Sequence, residues 1–136
     1  MAQRFEDFAK SIIALTAWSY ASHYGSQVPQ LMVAQVIANR ARRGWGSILD
    51  VVDRMPRYEA APPTTEGLPD SWDKAFLRVL AEIDPIYDGT SKDTTNGGLY
   101  FGDLNDIQNP SFLEKIARNP EHHRVADCAG TLVFWD

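Results

Sequence analysis

The sequence predicts an α+β fold dominated by helix, with a small antiparallel sheet, in a single domain spanning residues 1–136. Three observations lead there. Apolar residues recur at helical spacing through most of the first 83 positions. Short apolar runs bounded by Gly, Asn and Asp are confined to the last third, after Pro85. The chain also carries no internal repeat, low-complexity tract or interdomain linker.

The elements follow in order. Phe5, Phe8, Ile12, Leu15 and Trp18 recur at steps of three and four, which predicts an amphipathic first helix stopped by Gly25. Ser26 and Pro29 open a second helix, apolar nearly all round through Leu31, Val33, Ala34, Val36 and Ile37 and therefore central and buried. Arg40, Arg42 and Arg43 sit in its last turn before Gly44, where cations offset the negative helix end. Ser47 with Asp50 predicts a capping box on a short helix through Val51 and Val52. Residues 55–70, rich in Pro, Thr and Gly, form a loop of a length that is often functional. Ser71 caps a further helix carrying Trp72, Phe76, Val79, Leu80 and Ile83, and turn chemistry takes over after Pro85. Leu99-Tyr100-Phe101 reads as a strand. Ser111 and Glu114 box a brief helix with Leu113 and Ile116, and 124-RVADCAGTLVFW-135 gives two strands around Gly130.

Composition narrows the function classes. A net charge of −5 excludes nucleic acid as a main partner, because phosphate binding needs a cationic face. The single cysteine, Cys128, excludes an internal disulfide, fits a reducing compartment, and in an apolar strand reads as a small buried hydrophobe. MAQRFEDFAK has its apolar residues spaced by charges, so no signal peptide is expected, and no apolar run is long enough for a membrane span. His122 and His123 are adjacent and make a poor chelate, so neither a metal nor another cofactor is expected.

Three stretches together resemble the spore-cortex-lytic (SleB-type) cell-wall hydrolases of the lysozyme-like superfamily. They are 33-VAQVIANRARRGWGSILDVV-52, 93-DTTNGGLYFGD-103 and 129-AGTLVFW-135, with Pro56-Arg57-Tyr58 standing where the family has an aromatic loop. The resemblance covers most of the chain in the right order. It implies a lysozyme-like fold, a groove for a peptidoglycan glycan strand, and muramidase or lytic-transglycosylase chemistry. In the family a Tyr-Ala-Glu-Ala type sequence at the end of the first helix supplies the catalytic acid. Here Ser22 stands at that position when Tyr20-Ala21 is aligned, and Ala21 when residues are counted back from Asn39. Leu132 stands where the family's last strand has a histidine.

Cleaving a glycosidic bond needs a protonated acid beside the leaving oxygen, in a setting that raises its pKa. The carboxylates open to that role are Glu59 and Glu66 in the long loop and Asp103 and Asp106 after the strand; Glu59, between Tyr58 and Ala60, has the most suitable neighbours. His23 at the first-helix end titrates near neutrality and is the other acid candidate, with helix capping as its plainer role. Ser22, Asn39, Tyr58, Tyr100 and Asp103 are the expected glycan contacts, although mid-helix Asn39 also suits a buried hydrogen bond that fixes a neighbouring loop. Tyr100, Phe101 and Trp135 suit either sugar stacking or core packing. Two functions follow: a phage lysis or virion-associated peptidoglycan hydrolase with a relocated acid, or a non-catalytic relative that binds glycan or joins protein partners in an assembly.

Overall fold

The computed structural model describes residues 2–24, 26–55, 74–105, 112–128 and 130–136. Among them, α1 (Ala2–Ala21) runs into a 3-10 turn at Ser22–Tyr24, followed by α2 (Gln27–Arg42), α3 (Ile48–Asp53), α4 (Lys74–Ala81) and α5 (Ile83–Asp88). Then come β1 (Tyr100–Asp103), a π-helical turn at Leu113–Ala117, β2 (Arg124–Cys128) and β3 (Leu132–Trp135). The class is α+β, with helices in the majority.

Helix α2 is the axis of the molecule. Its positions Met32 to Ala38 are all buried, and it touches α1, α3, α4, α5 and β1. Ser26 caps it by accepting from the Val28 amide, as its place before the apolar run predicts. The capping box of Ser47 and Asp50 opens α3 with both reciprocal bonds formed.

Two expectations need correction. The stripe of large residues on α1 is not its inner face: Phe8 is exposed and Ile12, Leu15 and Trp18 are half-buried. The buried stripe is Ala9, Ile13, Ala14, Ala17, Tyr20 and Ala21, one position round. Small side chains there let α1 lie close against α2, and the larger residues wrap its flanks; Trp18 meets Phe76 of α4 edge to face at 5.7 Å. Pro85 does not close the helical region. It sits in the first turn of α5, where its missing N–H costs nothing, and the break at Glu82 is what separates α4 from α5. The capping positions Ser71 and Ser111 lie outside the described residues.

The sheet has the order β1-β3-β2 and is antiparallel throughout. All four residues of β3 are buried, because both faces of the sheet are covered. Leu132 and Phe134 point into the helical core with Phe101, whereas Val133 and Trp135 pack under Phe112 and Ile116 of the π-helical turn. The outer turn therefore explains why β3 has no polar face.

Candidate functional site

Asn39, on the last turns of α2, is tied to the loop that follows α5. Its Nδ2 donates to Gly98 O at 3.0 Å and Asp93 Oδ2 at 3.1 Å, with Thr95 Oγ1 at 3.3 Å. Its Oδ1 accepts from Gln35 Nε2 at 3.0 Å. Asp93 in turn accepts from the Thr95 amide, the Thr95 hydroxyl and the Gly97 amide at 2.8, 2.6 and 2.9 Å. Burial pushes the Asp93 pKa up, but the hydrogen bonds from Thr95, Gly97 and Asn39 outweigh it and hold the carboxyl below its ordinary value. Both polar ends of Asn39 are thus engaged by protein partners, and the side chain fastens the 93–98 loop to α2.

A second cluster forms where α1 meets the end of β1. The Tyr24 hydroxyl donates to Asp103 Oδ2, Thr131 Oγ1 donates to the same oxygen at 2.8 Å, and the Asn105 amide donates to Oδ1 at 2.8 Å. Asp103 is only 4% exposed. Ser22, half-buried in the 3-10 turn, belongs to the same corner. The sequence places Ser22 and Asp103 apart by 81 positions, and the fold brings their segments together. Of the remaining candidates, Tyr58, Glu59, Glu66 and Asp106 lie outside the described residues, as does the side chain of His23.

Tyr100 lies elsewhere. β1 carries it three residues from Asp103, about 10 Å along the strand. Phe101 and Trp135, the other stacking candidates, are core residues at 0% and 4% exposure. Tyr100 instead opens onto a cleft of about 520 Å³ between the end of α2 and the sheet, shared with Arg43, Trp45, Glu121, His122 and Asp136. The Trp45 and Tyr100 ring centroids are 5.5 Å apart, and His122 meets Tyr100 edge to face at 5.1 Å. Behind the two rings lies the buried Arg40 guanidinium, 5.2 Å from Trp45 and 5.8 Å from Tyr100, with Nε donating to Leu99 O at 2.7 Å. His122 Nδ1 lies 2.8 Å from Asp136 O. A hydrogen bond from the His123 amide, opposed by a burial penalty and aided by the His123 ring, lowers the Asp136 carboxyl pKa.

The arginines at the end of α2 divide accordingly. Arg40 is under the aromatic rings, Arg42 donates to Ile86 O and Tyr87 O at the end of α5, and Arg43 alone of the three lines the cleft. They do not form one solvated cationic face. Sequence reasoning missed Trp45, Glu121 and Asp136. The available signal was Gly44-Trp45-Gly46: glycines on both sides of a tryptophan at a helix end mark backbone that leaves the ordinary φ range, and both take positive φ, 87° and 139°.

Among the described residues no three His, Cys, Asp or Glu side chains converge as metal ligands would, and no helix is long and apolar enough to cross a membrane. Compared with models of known protein families, with characterised proteins and with solved structures, the chain matches none.

Proposed function

We propose that this chain is a lysozyme-like, SleB-type domain directed at the glycan strand of peptidoglycan, and that it holds the strand without cutting it. The observation that carries this reading is the corner between α1 and β1. The resemblance expects an acid there, and this chain has Ser22. Among the described residues Asp103 is the carboxylate that reaches the corner; it is 4% exposed and already accepts from Tyr24, Thr131 and Asn105. A general acid has to present a proton to the glycosidic oxygen from an accessible position. Asp103 is instead built into the joint between helix and strand.

The scaffold itself supports the family reading. The segments that resemble the family adjoin one another: Asn39 binds the 93–98 loop, and β1 pairs with β3 from Tyr100↔Trp135 to Asp103↔Leu132. Such a domain suits a virion-associated or lysis protein that meets the cell wall as part of a larger assembly. Co-sedimentation with purified peptidoglycan, run beside turbidity clearance, tests the proposal. Wild-type protein should pellet with the wall material and leave its turbidity unchanged. Clearance that Glu59→Gln abolishes would make the chain a hydrolase with Glu59 as its acid. Failure of both pelleting and clearance would remove the glycan reading altogether.

A further inference from the structure

We infer that the cleft between Trp45 and Asp136 is a binding site for a neutral pyranose ring, separate from the corner where α1 meets β1. The inference rests on the glycan-directed reading and adds where a sugar is held. At about 520 Å³ the cleft has the dimensions of small-molecule sites, which run from about 300 to 1,000 Å³.

The site is built before any ligand arrives. Trp45 and Tyr100 are tilted 57° to each other, and Arg40, 3% exposed, fixes both from behind by its charge and by its bond to Leu99 O. Little side-chain freedom is left for a ligand to remove. Trp45 nonetheless stays 37% exposed, an apolar platform left open at a polar rim. The Asp136 carbonyl can only accept, so His122 Nδ1 carries the proton and Nε2 is an acceptor in the neutral ring. Glu121 and Asp136 add acceptors, and Arg43 adds donors.

That combination selects among ligand classes. A pyranose has a flat C–H face for an aromatic ring and a rim of hydroxyls that each donate and accept. A wholly apolar ligand would strip water from the Glu121 carboxylate and from Arg43 and offer no hydrogen bond in return, which is costly. An anionic polymer would meet the Glu121 and Asp136 carboxylates against one cleft arginine. A cation would meet Arg43 at the rim and Arg40 behind the rings.

Titration of isotope-labelled full-length protein with diacetylchitobiose, followed by amide and indole chemical shifts, tests this. The Trp45 indole and the Tyr100 and His122 amides should shift saturably. Trp45→Ala should weaken binding of the disaccharide, and co-sedimentation with peptidoglycan, by about tenfold. Glu121→Gln, at an exposed position, should weaken both by a similar factor, about tenfold. Shifts confined to Ser22 and Tyr24 would overturn the inference, as would none at all. Wild-type pelleting that both substitutions leave unchanged would overturn it while the glycan reading stands. Loss of wild-type pelleting would take both away.

Discussion

Replacing Asn39 by Ala should destabilise the protein by about 3 kcal/mol. The amide has two hydrogens and faces three acceptors, with Gly98 O and Asp93 Oδ2 the closer two. The bond to the Asp93 carboxylate is charge-assisted and contributes about 2 kcal/mol, and the bond to the Gly98 carbonyl about 1 kcal/mol. Losing the Gln35 partner adds roughly another 0.5–1 kcal/mol, because Gln35 is only 4% exposed and its amide is left searching for an acceptor. Alanine returns about 0.6 kcal/mol through its higher helix propensity. At about 2.1 cal/mol/K per residue, the unfolding entropy of a 136-residue chain is about 0.3 kcal/mol/K, so the melting temperature should fall by about 10 °C. Thermal unfolding followed by far-UV circular dichroism reads this directly. Asn39→Ala and Asp93→Asn should also be coupled by more than about 1 kcal/mol in a double-mutant cycle, since they share a bond. A fall of less than about 3 °C, or strict additivity of the two changes, would refute the claim that Asn39 fastens this loop to α2.

Two further changes probe the same region. The Asp93 carboxyl is lowered in the folded state, so its stabilisation is complete above the unfolded carboxylate value of about 3.9 and is lost as pH falls through the folded value. Denaturant midpoints should therefore show Asp93→Asn weaker than wild type near neutral pH, with the gap closing below about pH 4; a gap that persists unchanged in acid would contradict it. Gly98→Ala should cost about 1–3 kcal/mol, because the added methyl would lie 3.0 Å from Thr95 Cβ and 3.1 Å from its Oγ1 with the Phe134 Cβ at 3.4 Å. Unchanged chemical denaturation of that variant would mean that the Thr95 turn yields freely.

Local chemistry in the sequence located most elements. Ser26, Ser47 and Asp50 mark helix starts because their side chains bond to amides two or three residues away, an interaction carried within one turn. Pro85 misled because a proline both ends one helix and begins another, and only the neighbouring packing selects between them. The face of α1 misled for a related reason. Hydrophobicity marks Phe8 and Leu15, but closeness to α2 favours Ala9, Ala14 and Ala17, and small size has no signature in an apolar periodicity. The candidate residues diverged most. Asn39, Asp103 and Tyr100 share a resemblance, yet the first two are held by internal hydrogen bonds and the third opens onto a cleft whose other walls come from residues 43–45, 121–122 and 136. Those segments meet only through the tertiary fold, so spacing along the chain carries no trace of the meeting.

The order of strands has a consequence for how the protein is made. β3 lies between β1 and β2 although it follows both in the chain, and the two flanking strands are not bonded to each other. On a translating ribosome, residues 100–103 and 124–128 therefore wait without a partner until 132–135 emerge. Contacts of α1 with α2, close in sequence, can form while synthesis continues; those of the sheet cannot. During that interval the nascent chain presents an unpaired Tyr-Phe edge and a Phe101 side chain with no Phe134 beside it. The period of greatest exposure to misassociation falls just before residues 132–135 emerge, when a helical layer already stands and one strand is missing to close it.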